Sequence, residues 1–367
     1  MKNLFRKEID DKLKNVVFIE LKEEYKIGDT VLPIGFSLPI KLDYLIEGIN
    51  KKELEEEINI VKIVEAIIYL LGIDKDFKYK IKYIEILKKL KIDIKKFAMH
   101  KAYINQEIDL LDSYLFLQGY ENIFGEDAEI LFKQGNILEG IYNKNVEEDI
   151  ELSDKILNII IKKYNRVLDL DEEFDLAYYR LAYINLSLSK YIKANLYFEK
   201  FMNYSKDEVL KEETRDEIES IKDNVNYDSA KTYLSYGEYN KALNLLKDIS
   251  DNFDKDAEYY YMAAIIYYNM GDNFNAMEYA KESIEKEVLE ESVNLLSTIY
   301  AQEQNFSEAI EVLRKGLDEL NNSYPLNYNL GIIYLNTNEK ELGKEYLEKA
   351  LNIKPNEELE KVIENLK

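Results

Sequence analysis

From about Asp223 to the C-terminus, apolar and small residues fall at i, i+3, i+4 and i+7 within short segments. That recurrence belongs to helices, not strands. The segments come in pairs, and the pair repeats at spacings of 34, 33 and 34 residues. Where two paired helices cross closely, a position can carry almost no side chain. On the first helix of each pair that position is Ala230, Ala264, Ser297 and Gly331; on the second it is Ala242, Ala276, Ala309 and Gly343. Three residues after the first series comes a large ring, Tyr233, Tyr267, Tyr300 and Tyr334, expected to fill space against the neighbouring pair. Gly237 and Gly271 interrupt the pattern between helices, as a turn with positive φ requires. A period in this range marks stacked supersecondary units, none of which buries its apolar face alone.

The clearest copy is YPLNYNLGIIYLNTNEKELGKEYLEKALNIKPN, with Leu330, Gly331, Tyr334, Gly343, Leu347, Ala350 and Pro355 in its large and small positions. This order resembles the tetratricopeptide repeat (TPR) family, whose unit is a helix–turn–helix of about this length. Four units fit the resemblance, 223–256, 257–289, 290–323 and 324–357. A fifth begins at Asp175, anchored by Tyr178, Leu181, Ala182, Ala194 and Phe198, with Asn185 where Tyr is expected. About 14 extra residues around KEETRDEIESIKD follow it, rich in helix formers and read as extended helix. A sixth unit starts near Ala128 with Gln134, Gly135 and Leu138, its second helix near DKILNIIIKKYNRVLDL displaced by the acidic insert EEDIELSD. A degenerate seventh spans 94–127, with Lys101 where a small residue belongs. After Pro355, Asn356 is a helix N-cap with Glu357 and Glu358 behind it, and Leu359, Val362, Ile363 and Leu366 make one apolar stripe. A solenoid end needs such a one-sided cap.

The resemblance implies an all-α TPR solenoid, a right-handed superhelix, behind a small and mostly helical N-terminal module. The expected divisions are 1–93 for that module, 94–174 for degenerate or interrupted units, 175–357 for five TPR units and 358–367 for a capping helix. Within 1–93, VVFIELK is β-branched and aromatic and reads as a short strand. TVLPIGFSLPIKL, with Pro33 and Pro39, reads as extended loop, and helical periodicity returns from Leu42 to about Leu90.

Few breakers support helix throughout: 13 Gly and 4 Pro in 367 residues, with an apolar share of 46 % that is ample for a core. The absence of Cys excludes disulfides, thiolate metal sites and a Cys nucleophile. The opening MKNLFRKEIDDKL puts charges where a signal peptide needs an apolar stretch, and IVKIVEAIIYLLGI is too short to span a bilayer. A cytoplasmic protein with no membrane insertion is expected. The net charge of −23 is uneven: residues 1–100 hold 20 basic against 18 acidic residues, the remainder 29 against 54. The acidic two-thirds repels phosphate backbones and anionic membranes, so nucleic acid is not its expected partner.

No phosphate-cradling glycine motif is present, and no cofactor is expected. His100 is the sole histidine, which leaves a Ser-His-Asp triad without a nucleophile motif and reads as a residue of a degenerate helix. LDLDEEFDL, with Asp169, Asp171 and Asp175, lacks the Gly and Glu of a calcium loop, Phe174 and Arg180 standing there instead. It reads as an inter-repeat turn. The segment FKYKIKYIEILKKLK carries Lys78, Lys80, Lys82, Lys88, Lys89 and Lys91 but no Arg, Asn or Gln for base edges.

In the TPR family the first helices line a concave surface on which ligand peptides lie. Carried over by position, that surface comprises Tyr179, Tyr183, Tyr227, Lys231, Tyr261, Ile265, Tyr268, Asn294, Thr298, Tyr328 and Ile332, with Leu335 beside them. It has too few cations for the family's carboxylate clamp. A strip of phenols with apolar neighbours suits peptide or helix recognition, and the acidic background favours partners with basic flanks. The expected role is a non-enzymatic protein- or peptide-binding scaffold. The alternative is a peptide-responsive regulator with an N-terminal effector, DNA-binding or otherwise. An enzyme housed in residues 1–93 would be a third possibility, and no residue there supports it.

Overall fold

The computed structural model describes residues 4–27, 30–51 and 59–366, and within them the chain is an all-α helical-repeat solenoid with two small β ribbons near its start. It divides into two compact units. One comprises Met1–Leu188 and Leu196–Lys211, the other Ser189–Asn195 and Glu212–Lys367.

The first unit opens with α1 (Arg6–Lys14), then β1 (Val16–Glu20), β2 (Tyr25–Ile27), β3 (Thr30–Leu32) and β4 (Ser37–Lys41). β1 pairs antiparallel with β4, Val16 opposite Lys41 and Phe18 opposite Pro39; β2 pairs with β3, Tyr25 opposite Leu32. The segment expected to be loop is therefore largely strand. Ladder bonds run from Leu42 N to Asn15 O and from Leu21 N to Phe36 O. Alternation along the ladder puts the Phe18–Pro39 pair at a non-bonded site, so the missing N–H of Pro39 falls on the free edge of a two-stranded ribbon.

Helices follow: α2 (Leu42–Lys51), α3 (Ile60–Ile73), α4 (Lys80–Lys89), α5 (Ile94–Gln106), α6 (Leu110–Phe124), α7 (Ala128–Asn145), α8 (Ile150–Leu170) and α9 (Asp175–Ser187). Residues 52–58, inside the stretch expected to be helical, lie outside the described residues. One continuous cluster of buried side chains runs from Phe5 to Ile184. Its tightest joint is α3 on α6. A methyl built on Gly72 would stand 2.0 Å from the Leu115 carbonyl oxygen, and one on Gly119 would stand 1.9 Å from that of Ile68.

Around Lys101 the expected misfit resolves by register. Ala98 and Ala102 are the buried small residues of α5, Ser113 Oγ donates to the Ala102 carbonyl at 2.8 Å, and Lys101 pairs with Glu65 at 2.5 Å. The acidic insert EEDIELSD supplies the cap and first turn of α8: Asp149 accepts from Leu152 N at 2.9 Å, and the helix begins at Ile150. Gly135 of α7 lies under the Tyr164 ring, whose hydroxyl stands 2.7 Å from both Asn136 Oδ1 and Glu139 Oε1.

α10 (Tyr191–Tyr204) leads to α11 (Glu208–Ser235), a 28-residue helix that takes up the excess KEETRDEIESIKD as expected. Then come α12 (Tyr239–Lys247), α13 (Ala257–Asn269), α14 (Asn273–Lys286), α15 (Glu290–Gln302), α16 (Phe306–Glu319), α17 (Tyr324–Asn336), α18 (Lys340–Ile353) and α19 (Glu357–Glu364). Asn356 caps α19 as its sequence predicts, accepting from Glu358 N at 2.9 Å. All eight small crossing residues are buried. Of the ring series, Tyr334 is buried and Tyr267 and Tyr300 half-buried, but Tyr233 is exposed beneath Lys241. Among the described residues no helix is long and apolar enough to cross a membrane.

Between paired helices the backbone turns the same way each time. Glu238, Asp272, Asn305 and Glu339 each donate an N–H to the carbonyl of Tyr233, Tyr267, Tyr300 or Tyr334. The residue before each donor has positive φ: Gly237 at 72°, Gly271 at 82°, Gln304 at 64° and Asn338 at 65°. The glycine turn read from sequence thus continues through two units without glycine.

Candidate functional site

Eleven positions were expected to line a binding face, and they do not share one unit. Tyr179 and Tyr183 of α9 lie in the first unit, half-buried and packed ring against ring. Their centroids are 4.9 Å apart, with Phe201 5.0 Å from Tyr179 and Phe198 5.1 Å from Tyr183.

The remaining positions sit on the first helices of the second unit's pairs: Tyr227 and Lys231 on α11, Tyr261, Ile265 and Tyr268 on α13, Asn294 and Thr298 on α15, Tyr328 and Ile332 on α17. α13 touches α15, and α15 touches α17; α11 is tied to the start of α13 through side chains. Much of the polarity at these positions is already spent in joining neighbours. Lys231 Nζ donates to Glu258 at 2.8 Å and lies 4.4 Å over the Tyr227 ring, while the Tyr227 hydroxyl donates to Asp256 at 3.3 Å. Gln302 donates to the Tyr268 hydroxyl at 2.8 Å, Asn329 donates to Asn294 Oδ1, and Thr298 donates to its own helix at the Asn294 carbonyl, 2.7 Å away. The two side-chain bonds to Tyr268 and Asn294 span 34 and 35 residues, one repeat each. Ile265, Ile332 and Leu335 support the apolar clusters beneath.

In the second unit two phenols remain available. Among the described residues neither the Tyr261 nor the Tyr328 hydroxyl makes a hydrogen bond. Tyr328 is exposed and stacks on Tyr324 at 6.0 Å. Burial, and secondarily the Glu291 carboxylate, raise the Tyr261 pKa, so it meets a partner as a neutral donor. Tyr227 is pushed the same way by burial, then by Asp256 and Glu258.

Tyr261 lines a cavity of about 410 Å³ at the N-terminal ends of α13 and α15, together with Asp256, Ala257, Glu258, Glu287, Leu289 and Glu291. Four carboxylates stand about one phenol, with Glu258 held by Lys231 and Asp256 accepting from Tyr227. Glu258 and Glu291 stand in the first turns of α13 and α15, and Asp256 and Glu287 in the connections before them; their convergence was not read from the sequence. A second hollow in this unit, about 190 Å³, is apolar and lies among Ile284, Val288, Val293, Leu296 and Val312, with Lys281, Glu285, Lys315 and Gly316 completing its lining.

The other chemical candidates resolve as structure. His100 is exposed on α5. Asp171 and Asp175 accept from the N–H groups of Glu173 and Leu176, at 3.1 and 2.7 Å, and Asp169 pairs with Arg166 at 3.4 Å. This acidic run is the turn between α8 and α9.

The tetratricopeptide repeat family model matches residues 257–285, 290–319 and 324–357. No curated protein matches the sequence. Among solved structures the chain is similar to YrrB, described as a TPR protein with an unusual peptide-binding site. Identity there is 17 %, over 55 % of this chain and 97 % of that one, with a TM-score of 0.39. It is also similar to MamA, at 17 % identity over 50 % of this chain and 92 % of that one, TM-score 0.37. A second MamA structure, AMB-1, gives 20 % identity over 40 % and 81 %, TM-score 0.35.

Proposed function

Since residues 257–357 are tetratricopeptide repeats, we propose that the chain is a non-enzymatic cytoplasmic scaffold that docks a peptide segment with a basic flank along the first helices of its repeats. The observation that carries this reading is the acidic cavity around Tyr261 on that face. Lys231 bonding Glu258 and covering Tyr227 illustrates the geometry an incoming lysine or arginine would adopt next door. Apolar side chains of the segment rest on Ile265 and Ile332, and Tyr261 and Tyr328 supply contact area and free hydroxyls. Asn294 and Tyr268 hold the repeats in register instead of leading the recognition.

The test is an array of peptides of varied charge probed with full-length protein, then with a Tyr261→Ala, Tyr328→Ala variant and with a Glu287→Gln, Glu291→Gln variant. Basic peptides retained by the parent and weakened about tenfold or more by each variant support the reading. A folded tyrosine variant that binds the same peptides unchanged removes this face from consideration, and a preference for acidic peptides rejects the charge assignment.

A further inference from the structure

Seven lysines and two carboxylates lie between Lys75 and Lys91, in a chain whose net charge is −23. Among the described residues none of the seven pairs with a carboxylate. Some lysines elsewhere in the same unit are paired: Lys95 with Asp127 at 2.8 Å, Lys155 with Glu151 at 2.5 Å and Lys163 with Glu121 at 3.3 Å. The unpaired cations are interleaved with apolar side chains that face solvent. Ile81, on the outer side of α4, is 75 % exposed; Ile34, at the turn before β4, is 67 % exposed; Phe18 of β1 is 43 % exposed.

Several contacts join Phe18, Lys78, Lys82 and the turn before β4 around α4. Phe18 stacks on Phe77 at 5.6 Å and 7°, and Phe77 stacks on the buried Tyr83 at 5.9 Å and 10°. Lys82 Nζ lies 5.8 Å from the Phe36 ring and 6.0 Å from that of Tyr79, while Lys78 covers Tyr79 at 4.5 Å. The Tyr83 hydroxyl donates to the Ser37 carbonyl at 2.9 Å, fastening α4 to β4 and the turn that carries Ile34.

We propose that this face is a peripheral docking site for an anionic lipid bilayer. Charge complementarity names the class: unpaired ammonium groups around protruding apolar tips match anionic headgroups above acyl chains. Exposed aliphatic tips separated by lysines suit a fluid layer, into which each tip inserts by itself. A folded partner would need one contiguous complement. Single-stranded nucleic acid is the nearest competitor, and it requires stacking faces more than aliphatic tips. Here the two most exposed tips, Ile34 and Ile81, are aliphatic. Acidic residues elsewhere in the chain do not cancel the attraction, since salt screens them beyond about 10 Å.

The experiment is flotation of the full-length protein with phosphatidylcholine vesicles, alone or with about one-third phosphatidylserine, where each lysine is worth roughly fivefold in affinity. Binding is expected only with phosphatidylserine, and is expected to fall away as salt rises toward about 0.5 M. Reversing Lys78, Lys82 and Lys88 to Glu should weaken it by more than about a hundredfold. Ile34→Asp with Ile81→Asp should weaken it about tenfold or more. All these positions are exposed, and circular dichroism verifies the fold; a Lys→Gln triple variant replaces the reversal if it unfolds. Equal binding to neutral vesicles, retained binding in the folded lysine variants, or full binding by the isoleucine variant would each overturn the proposal. So would an oligothymidylate that binds this face more tightly than the vesicles do.

Discussion

Replacing Gly72 with Ala tests whether close backbone contact, and not helix propensity, governs the first unit. On propensity alone an interior Gly→Ala change stabilises a helix by about 1 kcal/mol. Here the new methyl would lie 2.0 Å from the Leu115 carbonyl oxygen and 3.2 Å from the Gly119 N, both backbone atoms. Real contacts of this kind stay above 3.0 Å, so α3 and α6 must part by roughly 1 Å. A gap of that size forfeits a quarter to a half of the dispersion energy along the seam. The seam buries Val64, Ile67, Ile68 and Leu71 beside Leu115 and Phe116. Overpacking of about 1–3 kcal/mol, here at or above its upper end because only whole-helix movement relieves it, outweighs the propensity gain. The expected net loss is about 2–3 kcal/mol. Gly119→Ala, 1.9 Å from the Ile68 carbonyl, should behave alike. Because one separation accommodates both methyls, the double variant should cost at least about 1 kcal/mol less than the sum. Urea unfolding followed by circular dichroism measures the loss, and hydrogen exchange on α3 and α6 peptides localises it. A Gly72→Ala protein as stable as its parent, or strictly additive losses, would refute the reasoning.

Gln304→Gly should raise thermal stability by about 0.5–1 kcal/mol by relieving a left-handed side-chain residue, with Asn338→Gly gaining less because Asn tolerates that region; an unchanged melting temperature for Gln304→Gly counts against it. Gly271→Ala should lose about 1 kcal/mol in the same melt, and a neutral result would mean the turn rearranges. Tyr259 donates to the Leu246 carbonyl at 3.1 Å, and burial raises its pKa to about 12. Its folded pKa exceeds the unfolded value near 10, so its contribution is whole below about pH 10 and is lost as pH climbs toward 12. Tyr259→Phe should therefore be about 1 kcal/mol less stable at pH 8 yet lose less than its parent between about pH 10 and 12. Parallel urea midpoints for the two proteins across that range would disprove the assignment.

The repeat architecture was legible because its geometry demands particular residues. Ala230, Ala264, Ser297 and Gly331 recur at one repeat length because any larger side chain would collide with the paired helix. At Gly331 an added methyl would meet the Gly343 carbonyl at 3.0 Å. The turns were half legible: Gly237 and Gly271 advertise positive φ, whereas Gln304 reaches it in the same hydrogen-bonded turn and looks ordinary in sequence, with Asn338 between the two. Pro39 misled because a proline ordinarily argues against a strand, but not on the free edge of a two-stranded ribbon. Gly72 and Gly119 gave no signal, since their partners lie about a helix hairpin away and outside any period. For the candidate face, periodicity located the helices and the positions along them. It could not separate Asn294, already held by Asn329, from Tyr261, whose hydroxyl is free.

The partition of buried side chains has a mechanical consequence. In the first unit a large cluster extends from Phe5 to Ile184, whereas in the second successive smaller ones centre on Met262, Leu296, Leu330 and Leu359. Tension applied at the C-terminal end would peel the second unit stepwise, each rupture releasing one hairpin while its neighbour still grips. The large cluster of the first unit, spanning several helices at once, would yield in a single event. A tethered partner under load would thus feel a graded shock absorber backed by a brittle stop.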